Sequence, residues 1–219
     1  KYDENKKRTT FNNTILFSNV INDETEILKW NEFLTESYKF ISENRGEITN
    51  MFTLGNNIFI HCINALYILQ FKDYLATAEE GLQITQSSIK DISYKEVLPT
   101  DKGYCGLQDK QASIIGNFGY IFYENDTNRL FRFDNGQLIY IDYPILQWLK
   151  QYKPYEVRFA NDVERNNLII QFRYGDKNNN DKNFTKILLY DYEIDCFVSK
   201  INNFDFANSV NTKNKLYFI

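Results

Sequence analysis

Residues 111–142, QASIIGNFGYIFYENDTNRLFRFDNGQLIYID, constrain the fold more than any other part of the chain. Four segments rich in Ile, Leu, Phe and Tyr (113–117, 120–124, 129–134 and 137–142) read as strands. The turns between them carry breakers: Asn117-Phe118-Gly119, Asn125-Asp126-Thr127-Asn128 and Asp134-Asn135-Gly136. Asn and Gly accept the positive φ that tight hairpin turns require, and Asn135-Gly136 is the strongest hairpin signal in the chain. Alternation leaves both faces apolar. Tyr120 and Phe122 point one way, Ile121 and Tyr123 the other; Leu138 and Tyr140 oppose Ile139 and Ile141. A one-faced meander would show a polar outer side. A sheet apolar on both sides must be covered on both, as the blades of a β-propeller are by their neighbours.

Similar units flank this one. Before it, 47–54, 58–62 and 65–70 read as strands around the turn Gly55-Asn56-Asn57. Residues 71–110 are more polar and read as an outer strand plus an insertion, with a strand at 82–86. After it come strands at 155–160, 167–174, 185–190 and 195–199, with 175–183 (GDKNNNDKN) as a long solvated hairpin tip. Residues 215–219 would start a further element. The openings of the units, at Ile48, Ser113 and Val157, are unevenly spaced, which excludes a short solenoid period and suits blades with insertions.

Two helices are expected. Pro144 at a first turn, Ile145, Trp148, Leu149 and Tyr152 on one face, Lys150 and Lys153 near the C-terminal end and Pro154 as a stop define one. Ile27, Trp30, Leu34 and Ile41 suggest that 22–42 is partly helical, with Asp23 as N-cap. Ahead of it, 14–19 reads as a strand and 1–12 as an arm. The domain reading is therefore an N-terminal arm, strand and partly helical segment over 1–45 and a propeller-like domain over 46–219, with blades at about 46–110, 111–154 and 155–219. The chain opens KYDENKK without Met and closes KLYFI in an expected strand, which reads as a fragment of a longer chain.

Aromatic residues make up 16% of the chain, a content that suits strands and large interfaces. A net charge of −4 argues against non-specific grip on nucleic acid. There is no 18-residue apolar run and no signal peptide. Cys62, Cys105 and Cys196 are odd in number and widely spaced, so buried thiols are expected rather than a disulfide framework.

Sites with chemical potential are few. His61 is the single histidine, and it neighbours Cys62 on a strand, so the two point to opposite sides and form no dyad; a structural role outweighs a metal or acid–base role. Asp176, Asn178 and Asn180 imitate the start of a calcium loop, but Asp181 stands where its Gly belongs and Ile187 where its Glu belongs. Asp162 with Glu164, and Asp191 with Glu193 and Asp195, are carboxylate sets at turns, where such residues are common. Tyr140, Tyr143, Tyr152, Tyr155, Tyr190 and Tyr192 could line a sugar-binding surface, with packing the favoured reading. The chain has no GxGxxG after a strand, Walker loop, HExxH or GxSxG, and lacks the repeats of sialidase-like and WD propellers.

The order of segments RGEITNMFTLGNNIFIHCINALYIL, Gly103-Tyr104-Cys105-Gly106, ASIIGNFGYIFYENDTNRLFRFDNGQLIYID, PILQWLKQY and VRFANDVERNNLIIQFRY…KILLYDYEIDCFVSK, preceded by TILFSNV, resembles tail-tip proteins of tailed bacteriophages, the nozzle or muzzle components. The likeness covers roughly 14–199 and is nearest to crAss-like and other short-tailed phages. It implies an all-β fold of β-propeller-like antiparallel blades with one or two short helices. It implies a virion structural protein, not an enzyme, in a homo-oligomeric ring at the tail end through which DNA is ejected. Its partners would be other tail and portal-side proteins, with genomic DNA passing unbound. It implies no membrane anchor, catalytic residue, metal or cofactor. The alternatives are a receptor- or glycan-binding propeller module at a tail tip, and a propeller hydrolase with paired carboxylates in one pocket.

Overall fold

A computed structural model describes residues 10–18, 33, 35, 37–70, 75–77, 82–84, 92–99, 105–116, 118–176, 179–201, 204–212 and 215–219. The fold is all-β, built from three four-stranded antiparallel meanders in the manner of propeller blades, with one short α-helix. A two-stranded ribbon, β1 (Thr14–Leu16) with β2 (Tyr38–Phe40), comes first. The first sheet runs β3 (Ile48–Leu54), β4 (Asn57–Cys62) and β5 (Ala65–Gln70). A hairpin, β6 (Leu75–Thr77) and β7 (Leu82–Ile84), precedes its outer strand β8 (Ser93–Glu96). The second sheet runs β9 (Ser113–Gly116), β10 (Gly119–Glu124), β11 (Arg129–Asp134) and β12 (Gln137–Tyr140). The third runs β13 (Glu156–Asp162), β14 (Asn167–Asp176), β15 (Asn179–Asp191) and β16 (Cys196–Ile201). A last ribbon pairs β17 (Ser209–Thr212) with β18 (Lys215–Phe218).

The two-faced apolar pattern of β10 has its cause in this stacking. Tyr120 lies opposite Phe133, and Phe122 opposite Phe131; these side chains meet Phe52, Phe59 and His61 of the first sheet. The rings of Phe52 and Tyr120 stack at 3.8 Å between centroids. On the opposite face Tyr123 meets Phe172 of β14 edge to face, and Leu130 joins the same core as Leu168 and Ile170. The outer face of the first sheet (Ile60, Cys62, Tyr67) packs under Ile15 and Phe17. That of the third (Ala160, Ile169, Ile187) packs against Phe206 and Leu216. Every full sheet thus has cover on both faces, and burying one large apolar side chain contributes about 1.5–3 kcal/mol.

Asn135 and Gly136 both have positive φ (48° and 77°), as the two-residue hairpin predicted from their identities requires. The helix α1 (Leu146–Gln151) follows a 3-10 turn over Tyr143–Ile145 that carries Pro144 near its start. Leu149 is buried, and Trp148 meets Phe172 edge to face at 5.4 Å. Asp142 stands at the N-cap position, but its carboxylate serves Arg129 and the Leu130 N–H instead.

Four expectations need correction. Residues 38–40, the tail of the expected helix at 22–42, form a strand against β1; most of the rest of that segment lies outside the described residues. The solvated tip at 175–183 is shorter than expected, because the β14–β15 ladder runs past Tyr174↔Phe184 to Asp176↔Asn179 across a bulge. The outer strand of the first sheet is β8, whereas the strand expected at 82–86 belongs to the inserted hairpin. Finally, β18 pairs with β17, which has too few apolar residues to read as a strand. Among the described residues no helix is long and apolar enough to cross a membrane.

Candidate functional site

The greatest concentration of buried polar chemistry lies in the seam between the first two sheets. Strand β4 aims His61 into it, and the ring meets Phe122 edge to face at 4.7 Å. His61 is fully buried, with both ring nitrogens occupied. The Cys105 carbonyl, 2.7 Å from Nε2, can only accept, so Nε2 carries the proton. Nδ1, 2.9 Å from the Tyr120 hydroxyl, therefore accepts from that O–H when the ring is neutral. Burial lowers the His61 pKa to about 3, against the opposing pull of the Cys105 carbonyl. Burial likewise pushes Tyr120 up to about 12. The imidazole is a neutral bridge between sheets, out of reach of solvent and of any substrate.

The strap that supplies the Cys105 carbonyl enters between the two sheets. Cys105 has φ 66°, and Leu107 N–H donates to the Cys62 carbonyl at 3.0 Å. Gln108 donates to the Ile63 carbonyl at 2.8 Å and accepts from Asn125 N–H at 2.9 Å, so one amide ties the β4–β5 turn to the β10–β11 turn. Gly106 N–H donates to Glu124 Oε1 at 2.9 Å. A Cβ at Gly106 would overlap the Ile63 carbonyl oxygen and lie 2.7 Å from Asn64 Cα, so no other residue fits without moving backbone. Glu124 is buried; burial raises its pKa, while bonds from Thr127 Oγ1 and Gly106 N–H act the other way. Burial also raises Cys105 and Cys62 to about 12, which keeps both thiols protonated and unreactive.

Cys62 faces the outer cluster of the first sheet while His61 faces the seam, as strand alternation requires. The carboxylates at turns serve those turns. Asp162 accepts from Arg165 N–H, and Asp191 accepts from the N–H groups of Glu193 and Ile194. Glu193 accepts from Asn166, and Asp195 pairs with Arg132 at 2.8 Å and accepts from the Tyr190 hydroxyl. Asp162 and Glu164 line a groove of about 620 Å³ between the third sheet and the last ribbon, with Arg165 and Lys215 beside them. Of the calcium-like set, Asn178 lies outside the described residues, as do the side chains of Asp176, Asn180 and Asp181; Ile187 is buried in the core of the third sheet. Among the described residues no three His, Cys, Asp or Glu side chains gather as a metal site.

The tyrosines divide. Tyr140, Tyr143 and Tyr152 are exposed, and Tyr155 is half-buried. The Arg129 guanidinium sits over Tyr140 at 3.9 Å. Tyr190 and Tyr192 are buried in the core that joins the second and third sheets, the packing role favoured for them. Sequence reasoning passed over Glu124, Asp142 and Gln171. A lone carboxylate closing the apolar run GYIFYE was a usable signal for Glu124. Asp142 showed as an acid just before Pro144 in the chain, and Gln171 left no comparable mark. No protein-family model and no curated protein sequence matches the chain.

Proposed function

We propose that this chain is a virion structural protein, one component of a phage tail nozzle or muzzle ring through which DNA is ejected. The observation that supports it most is the stack of blade-like sheets with both faces of each covered, an architecture that devotes its aromatic residues to holding sheets together. The strand-like segments on which the resemblance rests map onto strands of this stack and PILQWLKQY onto its helix, which adds support; Gly103 and Tyr104 lie outside the described residues. The buried polar groups satisfy one another within the seam, and the role assigned is mechanical, with no chemistry asked of His61 or the cysteines.

In such a ring the wall facing DNA would be mildly acidic, consistent with the net charge of −4, so that nucleic acid slides without sticking. Apolar contact at about 25 cal/mol per Å², before ordering costs, would hold the copies together. Immuno-electron microscopy of the virion that carries this chain tests the assignment. Antibody raised against the chain is expected at the distal tail. Label confined to the capsid, or to cells and absent from virions, overturns it.

A further inference from the structure

One lysine of the third sheet is enclosed by aromatic rings. Phe184 and Lys186 alternate onto the same face of β15, in register with Tyr174 and Phe172 of β14. Trp148 of α1 and Tyr152 at its C-cap, one helical turn apart, pack over that face. The Lys186 Nζ lies over the rings of Tyr152, Phe184 and Trp148, at 5.2, 5.4 and 5.5 Å from their centroids. Tyr174, buried behind them, stacks on Phe184 at 5.0 Å and meets Trp148 and Tyr152 edge to face at 5.7 and 6.2 Å. The three rings are thus held in place before any ligand arrives. The cage opens outward, with Phe184 44% and Tyr152 38% exposed.

We propose that Trp148, Tyr152 and Phe184 form a binding cage for a quaternary ammonium, with phosphocholine as the ligand class and Lys186 as an internal stand-in that gives way to it. The negative faces of aromatic rings attract cations, and caged rings are the usual receptor for a quaternary ammonium. The spacing selects among cations. Where a cation of this chain lies directly on a ring, Arg129 over Tyr140, the distance is 3.9 Å. The cage holds its bare ammonium more than an ångström further out, a gap that methyl groups on the nitrogen would fill. A lysine ammonium is compact and strongly hydrated, so it gives up more water than a trimethylammonium on entering such a site. Once displaced, Lys186 stays tethered by its flexible stem at the mouth of the cage, where it can pair with the phosphate that phosphocholine carries two carbons from its nitrogen. A trimethylated lysine of a peptide has only an alkyl chain there and leaves Lys186 without that partner. The site needs one copy of the chain and does not rest on the ring reading.

The test titrates choline and phosphocholine into the whole chain by calorimetry, with ammonium chloride as the ionic control. Phosphocholine is expected to bind wild type more tightly than choline does, and ammonium not at all. Tyr152→Leu and Phe184→Leu change partly exposed rings, so each should keep the wild-type circular dichroism and weaken phosphocholine at least about tenfold. Lys186→Met removes the stand-in. Choline should then bind about threefold more tightly, and phosphocholine should lose its advantage over choline. Should a ring variant misfold, NMR cross-peaks from the N-methyl protons of phosphocholine to the Trp148 ring of the wild-type chain decide; they are expected, and their absence overturns the cage. Phosphatidylcholine vesicles separate the sources. Binding to vesicles and to soluble phosphocholine upholds the site with a lipid headgroup as its source, and binding to the soluble group alone upholds it with the free ester. Tighter binding of a trimethyl-lysine peptide than of phosphocholine overturns the ligand class. No binding of choline or phosphocholine by wild type and Lys186→Met alike, or binding that the ring variants leave unchanged, overturns the site.

Discussion

His61 ties the stability of the fold to pH with a sign that can be worked out. It is the single histidine, fully buried and held neutral, with a pKa lowered to about 3 from 6.5. Between those two values the unfolded chain binds a proton at this position and the folded chain does not, so stability falls as pH falls. Each pH unit inside the window costs the folded state roughly 1.4 kcal/mol, on the order of 5 kcal/mol across it. Glu124 acts in the opposite sense: its raised folded pKa adds stability at low pH that is lost as pH rises through that value. A single wild-type profile therefore mixes the two. Comparison with His61→Leu separates them, since Glu124 and every other acid remain. The variant also strips partners from the Tyr120 hydroxyl and the Cys105 carbonyl, a loss of about 1–3 kcal/mol at neutral pH. The informative quantity is thus the slope. Urea unfolding at a series of pH values from about 7.5 to 4.5, at constant ionic strength, gives it. Wild type should lose roughly 1.4 kcal/mol per pH unit more than the variant below about pH 6. Parallel profiles would refute the neutral bridge and the reasoning from its two hydrogen bonds.

Gly106→Ala should cost at least about 3 kcal/mol, because its Cβ has backbone on the far side. Gly55→Ala, which meets open space at φ 58°, should cost only about 1–2, and thermal unfolding of the pair compares them. Arg129→Met should destabilise by about 3 kcal/mol in chemical denaturation, since it leaves the buried Asp142 carboxylate with only the Leu130 N–H; an unchanged midpoint would refute that account. Duplex DNA should bind weakly and with little dependence on salt by fluorescence anisotropy, and submicromolar affinity at physiological salt would sink the sliding-wall idea.

The strand sequence of the second sheet was legible because its turns are local. Asn135-Gly136 and the Asn-rich β10–β11 turn fix hairpins without reference to the rest of the chain. Stacking was legible too, since Ile121 and Tyr123 would be senseless on an open face. What stayed hidden depends on distant partners. Tyr38–Phe40 is a strand only because β1 lies beside it, and β17 only because β18 does. The seam is the same kind of case. His61 read as structural from its isolation, but its partners Cys105 and Tyr120 lie 44 and 59 residues away, beyond the reach of any local pattern. Gln171 is the clearest example. Its side-chain amide exchanges two hydrogen bonds with the Phe206 backbone at 2.8 and 2.9 Å, completing a ladder that sequence alone does not suggest.

The central claim is that this stack of blades is made to join copies of itself into a ring. Cryo-electron microscopy of the assembled chain tests it most directly. The account expects closed rings of identical copies, with apolar surface buried between neighbours. Isolated particles without symmetric neighbours would contradict it.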